Sequence, residues 1–297
     1  MSDPNISRIK AFNVEYLNQH KKIINKVEAP PPAIVEFDLH GTCSRRCAFC
    51  PRVDAEKWPN LEEKFELDLY SKIIIELKNR WKYSGRIAWS GYSEPMVHQE
   101  IYELIKITKK NLPNCTLDIV SNGDFLTSEV IKKLYSTGLD HLRVSIYTND
   151  KTTQKFVKIR EELNIDPKVF FIRERNKGKK NDFGLVLNNR GGAVNLKKIG
   201  IKRDTIFPLK RACNYPLFKI FVNYNGDYQI CSNDWNKHKI IGNANSMTID
   251  EVWYSSEFKK IRKNLMNKNR NIDPCKTCDV HGDLNGQEYF DEWAKFI

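Results

Sequence analysis

The stretch "AIVEFDLHGTCSRRCAFCPR", residues 33–52, joins a short β-type run to three cysteines held within eight residues. On a strand, Val35, Phe37 and Leu39 fall on one face and Glu36, Asp38 and His40 on the other. A strand covered by helices can hold such carboxylates only beside a polar interior, so Glu36 and Asp38 are expected to face a site. Cys43, Cys47 and Cys50 follow the strand directly, and the next cysteine is Cys115. Three thiolates leave a four-iron cube with one iron open to a further ligand. A tetrahedral zinc site would instead need a fourth ligand, for which His40 is at hand.

Outward from this stretch, β-type runs at 86–91, 116–123, 141–148, 168–175 and 184–189 alternate with helical spacing. Tyr70, Ile73, Ile74, Leu77 and Trp81 form one apolar stripe; Ile101, Leu104 and Ile105 form another. Val130, Ile131, Leu134 and Tyr135 form a third, closed by Gly138. Repeated βα units predict a parallel β/α barrel of TIM-like type, with its chemistry at the C-terminal ends of the strands. The segment "NKGKKNDF" is too short for a helical crossover, so the barrel is expected to be partial, truncated there. Strand parity places Arg143, Ser145 and Tyr147 on one face of the fourth strand, and Arg173 with Arg175 on one face of the fifth. The competing reading of these charges is an internal ion-pair network.

Past Arg190-Gly191-Gly192 the texture changes to a basic linker over 193–212, then to two β-type runs around Asn225-Gly226, a hairpin signal. One helical stretch over 247–266 precedes Cys275 and Cys278. Three units are expected: an N-terminal extension at 1–32, with one short helix and a Pro-rich joint, the partial barrel at 33–192, and a linker with a small hairpin-plus-helix domain at 193–297. In that last unit Cys213, Cys231, Cys275 and Cys278 supply four thiolates, enough to close a [4Fe–4S] cube or a zinc site.

Cys-x3-Cys-x2-Cys with Phe49 before the last cysteine resembles the signature of radical S-adenosylmethionine (SAM) enzymes. The resemblance implies that Cys43, Cys47 and Cys50 hold a [4Fe–4S] cluster whose open iron chelates SAM, which is cleaved to a 5′-deoxyadenosyl radical. Gly91, Tyr92, Ser93, Glu94 and Pro95 are similar to the family's Gly-Gly-Glu-Pro loop, with Ser93 in place of the second glycine. Ser121, Asn122 and Ser145 match strand ends that meet the adenosyl ribose in relatives, and Phe49 and Arg173 join the expected cofactor contacts. The four later cysteines resemble the start of the SPASM extension in its shorter "twitch" form, with one auxiliary [4Fe–4S] cluster. Within that class the chain is similar to the twitch dehydrogenases, known in butirosin biosynthesis, which oxidise a secondary alcohol of an aminocyclitol to a ketone. Glu36, Asp38, Tyr147 and Arg190 are then the candidates to handle substrate. Cys115 precedes the third strand, at the wrong end of the barrel to act as a hydrogen donor, and reads as a small core residue.

Composition narrows the partners. The 297 residues carry a formal charge of +12, reduced to about +9 by two ligated cubes. The balance favours an anionic substrate such as a nucleotide-linked sugar, and a flavodoxin or ferredoxin-type reductant. The lysines are scattered, and the runs at 175–181 and 259–270 read as solvated faces, which argues against nucleic acid. No apolar run reaches the ~18 residues of a membrane span and the stretch "MSDPNISRIK" has no apolar h-region, so a cytoplasmic protein is expected. The alternatives to an alcohol dehydrogenase are an epimerase or a peptide- or RNA-modifying enzyme of the same class, although the N-terminus offers no room for a leader-binding domain. Outside enzymes stand an iron–sulfur electron carrier and a zinc-bearing nucleic-acid binder.

Overall fold

The computed structural model describes residues 4–21, 28–175 and 187–297 and, within the first helix, the side chains of 11–19. Helix α1 (Pro4–Lys21) leads to β1 (Ile34–Phe37), after which four helices alternate with four further strands. These are α2 (Leu67–Trp81), β2 (Arg86–Trp89), α3 (Ile101–Asn111), β3 (Thr116–Ser121), α4 (Ser128–Thr137), β4 (His141–Ile146), α5 (Asp150–Glu162) and β5 (Phe170–Glu174). The stripe on α2 buries Tyr70, Ile73, Ile74 and Leu77 against the sheet, where the Tyr70 hydroxyl accepts from Trp89 Nε1 at 3.1 Å. Helix α4 starts on a Thr127 cap and stops at Gly138, whose left-handed backbone returns its N–H to Leu134 and Tyr135.

All neighbours among β1 to β5 pair in parallel, and the sheet stays open. Its order is β5-β4-β3-β2-β1-β6-β7-β8. The chain returns after the linker to place α6 (Tyr215–Phe218) and then β6 (Lys219–Val222) in parallel beside β1, with Glu36 opposite Phe221. Strands β7 (Asp227–Gln229) and β8 (Ile240–Asn243) extend the edge antiparallel. The barrel is thus partial. The expected strand at 184–189 falls largely outside the described residues, and its described part, 187–189, is not a strand.

Three expectations need correction. The single helix expected at 247–266 is two, α7 (Ile249–Trp253) and α8 (Ser256–Met266), because Ser255 turns out of the first and caps the second through Phe258 N–H. The run at 259–270 is not a solvated face throughout, since Arg262 and Arg270 are buried. Arg262 lies 3.7–4.0 Å from the ring centroids of Trp253, Phe258 and Trp293 and donates to the carbonyls of Pro216 and Trp253. Trp293 belongs to α9 (Gln287–Trp293), which packs on α1 and α6. Arg143, finally, turns to Asp118 at 2.5 Å, and Asp118 also pairs with Arg86, so these three buried charges close an internal network.

Candidate functional site

The loop after β1 puts Cys43, Cys47 and Cys50 on the rim of a cavity of about 300 Å³, at the C-terminal ends of the strands. Burial raises all three thiols; Cys47 is pushed up to about 11, helped by the neighbouring Cys50 and Cys43. Phe49 sits 5.3 Å from the Tyr147 ring, and Arg45 covers the same ring while pairing with Asp124 at 2.5 Å. Arg52 is the buried clamp of this loop, donating to the carbonyls of Gly41 (2.8 Å), Pro59 (3.1 Å) and Tyr92 (2.5 Å) and to Asn60 Oδ1 (3.0 Å). Those bonds tie the cysteine loop to the loop after β2.

That second loop, Gly91 to Glu94, borders the cavity. Gly91 has φ +131°, and a Cβ there would meet Phe221 at 2.9 Å and Asp38 at 3.2 Å, so only glycine fits. Asp38 does not line the cavity. It is buried under the loop, where one oxygen accepts from Tyr92 N (3.2 Å) and Ser93 Oγ (2.5 Å). Parity placed it on the interior face, but the loop folds over it; burial raises its carboxyl to about 7. Glu94, likewise raised to about 7 by burial, accepts from Asn122 N at 2.7 Å and from Met96 N at 3.2 Å. Pro95 opens the following turn and does not line the cavity. Asn122 Nδ2 donates to Ser44 Oγ at 2.9 Å, joining the third strand end to the cysteine loop. Ser121, Ser145 and Arg173 complete that wall.

Across the cavity Glu36 pairs with Lys219 at 2.6 Å and accepts from Ser90 Oγ. Burial alone would raise Glu36, but the ammonium outweighs it and holds the carboxyl below the usual glutamate range. Tyr147, raised by burial, stays a phenol at neutral pH. Arg190 enters from a turn with left-handed backbone, φ 49°. That turn is bolted to the auxiliary segment: Asn189 Nδ2 donates to Thr277 O at 2.6 Å, and Thr277 Oγ1 to Gly191 O at 3.1 Å. Sequence reasoning missed Ser90, Ser232 and Trp235 on the cavity wall; the Trp235 ring lies tilted, 4.4 Å from that of Tyr92, and carries no local signal beyond following Cys231.

The other four thiols gather from separate elements: Cys213 before α6, Cys231 after β7, and Cys275 with Cys278 on one 3-10 turn. Burial raises each; Cys213 reaches about 11 and Cys278 about 12, and Cys275 feels the other three. Gly282 packs so close that a Cβ would lie 2.3 Å from Cys213 Sγ. Asn233 aims its N–H and its Nδ2 at Cys231 Sγ, both at 3.4 Å, and Val280 N–H points at Cys278 Sγ at 3.5 Å. Arg270 clamps this site as Arg52 does the other, donating to the carbonyls of Arg211, Ala212 and Val280 at 2.9 Å. Thiols backed by N–H donors and a buried guanidinium fit an anionic thiolate cluster. Cys115, buried and pushed up to about 12, lies before β3 and away from the cavity.

A partial parallel barrel with three thiols at its mouth and four beside it defines the class. Residues 39–166 match the radical SAM superfamily, and residues 213–279 match the SPASM iron–sulfur cluster-binding domain. The chain is a radical SAM enzyme with an auxiliary SPASM-type domain, using SAM, a SAM-binding [4Fe–4S] cluster and an auxiliary [4Fe–4S] cluster. It is 27% identical over 255 residues to the S-adenosyl-L-methionine-dependent 2-deoxy-scyllo-inosamine dehydrogenase of Niallia circulans, covering 83% of this chain and 92% of that one. Its fold resembles BtrN in complex with AdoMet and 2-DOIA, with TM-score 0.70 and 22% identity over 85% of this chain and 95% of the other. Streptococcus suis SuiB bound to the precursor peptide SuiA gives TM-score 0.58 and 14% identity over 91% and 74% of the two chains. Among the described residues no helix is long and apolar enough to cross a membrane.

Proposed function

We propose that the enzyme oxidises a secondary alcohol of a sugar-like or cyclitol-like substrate to a ketone. The observation that carries this reading is the bridge between cavity and auxiliary site: Arg190 Nη1 reaches Asn233 Oδ1 at 3.5 Å, and Asn233 donates to Cys231. A cavity that abuts a four-thiolate site suits a reaction that must shed an electron, whereas an epimerase needs a thiol to return a hydrogen atom. The described cavity thiols are Cys43, Cys47 and Cys50, all assigned to the open cluster, and Cys115 is remote. The relative's dehydrogenase activity supports the same reading.

In this proposal Cys43, Cys47 and Cys50 hold the open cluster, and Cys213, Cys231, Cys275 and Cys278 hold the closed one. When bound, SAM and the two clusters supply a radical that abstracts hydrogen and an acceptor for the electron left behind. The chain's own groups do the rest. Gly91 to Ser93, Phe49, Ser121, Asn122, Ser145 and Arg173 would bound the SAM pocket. Asp38, Glu94 and Pro95 position that loop rather than touch the reactants. Glu36, kept ionised by Lys219, receives the hydroxyl proton, while Arg190 and Tyr147 orient the substrate. The extension, barrel and auxiliary domain divide the chain at about 32 and 192, and a flavodoxin or ferredoxin-type donor reduces it in the cytoplasm.

The test is to run the reduced, reconstituted enzyme in deuterated water and weigh the product. Loss of two hydrogens with no deuterium at the reacting carbon is expected. An unchanged composition with one deuterium there would replace oxidation by epimerisation.

A further inference from the structure

The cavity's charges say which substrate it admits. An ammonium-bearing substrate needs an available carboxylate in a cavity wall, and among the described residues the wall offers Glu36 and Glu94. Glu36 is already bound to Lys219 at 2.6 Å, with the Ser232 hydroxyl 3.1 Å from the same ammonium. Glu94 spends its two oxygens on the N–H groups of Asn122 and Met96. The Glu36 charge is offset by Lys219 and that of Glu94 by two main-chain N–H groups, so neither presents an uncompensated carboxylate to an ammonium, whereas a neutral hydroxyl can still donate to Glu36.

The cationic side is different. Arg45, Arg173, Arg175 and Arg190 also line the cavity. Arg45 is committed to Asp124, and Arg173 falls to SAM in the reading above. Arg190 has no carboxylate partner among the described residues: its side chain meets only the Asn233 amide oxygen, at the long distance of 3.5 Å. Its left-handed backbone is held in place by the Asn189 and Thr277 bonds and by Asn188 Oδ1, which accepts from Arg190 N at 2.9 Å. A guanidinium fixed at such cost, half-buried and with no carboxylate partner among the described residues, is built to receive a planar or tetrahedral oxyanion.

We infer that the substrate carries an anionic group, phosphate or carboxylate, gripped by Arg190, and presents hydroxyls rather than an ammonium to the Glu36–Lys219 wall. This rests on the alcohol-oxidation reading only for which end of the substrate reacts. It sets the chain apart from the inosamine dehydrogenase it resembles, whose named substrate is an amine.

The experiment measures equilibrium binding of five probes to the anaerobically reconstituted, SAM-loaded full chain: UDP-glucose, glucose 1-phosphate, glucuronate, neutral scyllo-inositol and 2-deoxy-scyllo-inosamine. At least one anion should bind ~10–100-fold more tightly than scyllo-inositol, and the inosamine should bind no better than the neutral probe. UDP-glucose and glucose 1-phosphate against glucuronate separate a phosphate from a carboxylate. Arg190→Gln should erase the anion preference and Arg190→Lys should retain part of it, with iron content unchanged in both. Lys219→Met, which uncovers Glu36, should raise inosamine binding ~10-fold or more. Inosamine binding as tight as any anion, or an anion preference unmoved in Arg190→Gln, overturns the inference. Product mass decides the chemistry separately: an anion consumed without losing two hydrogens sinks alcohol oxidation and leaves the charge assignment standing.

Discussion

The two thiol sites solve one problem in opposite ways. Cys43, Cys47 and Cys50 lie on one continuous loop at a single strand end and line a cavity, while Cys213, Cys231, Cys275 and Cys278 converge from three places, with Gly282 close against Cys213. Each has a buried arginine whose donors go to main-chain carbonyls, Arg52 with Asn60 in addition on one side and Arg270 on the other. The difference teaches that a site meant to bind a further ligand can be local, because its fourth position is supplied from outside. A site proposed only to pass electrons must be closed by the protein, and closing it takes the fold.

The comparison breaks most visibly at the thiols. A Cys43/Cys47/Cys50→Ala triple variant should drop iron from about eight to about four per chain and stop SAM cleavage, by more than ~10³-fold. Cys275→Ala should also lose about four irons, yet go on cleaving SAM while ketone formation ceases. Iron quantitation with 5′-deoxyadenosine and product assays would show it, and loss of cleavage in Cys275→Ala would contradict the division of labour.

The arginine clamps come next. Arg52→Met and Arg270→Met each leave several buried carbonyls unpaired and should cost about 3–5 kcal/mol in denaturant unfolding of the apo chain. The first should deplete only the iron of the open site and the second only that of the closed site. A variant that empties both would show the two sites to be one cooperative unit.

A smaller effect separates the sites by pH. Asp38 and Glu94, beside the open site, have carboxyls raised to about 7 by burial. Their contribution to stability is therefore complete below about pH 4 and is lost as pH rises towards 7. Asp283, near the closed site, runs the other way: burial would raise it, but Arg211 holds it below the usual aspartate range, so its contribution is lost in acid. In Asp38→Asn the stability slope between pH 4 and 7 should weaken by about one proton, measured as unfolding free energy of the apo chain against pH. The smallest change expected is Cys115→Ala, at most ~1–2 kcal/mol by thermal unfolding with turnover and iron content unaltered, because this thiol belongs to neither site.

The sequence by itself determined the partial parallel barrel, because apolar runs and helical stripes such as Tyr70 to Leu77 repeat at periods set by local backbone geometry. It also marked Cys43, Cys47 and Cys50, the Gly91–Pro95 loop and the strand ends, since each is a contiguous motif, and the four later cysteines by their spacing and family resemblance. Only the tertiary structure decided what those residues meet. Parity put Glu36 and Asp38 on one face, and the folded loop separated them, leaving Glu36 on the cavity and Asp38 beneath Ser93. A basic run gave no sign that Arg262 would enter an aromatic cage or Arg270 clamp a thiol site, because burial depends on elements far away in the chain. Lys219 reaches Glu36 across 183 residues only because β6 returns beside β1. Pairing of charges over such separations depends on where the chain comes back, and short-range patterns do not carry that information.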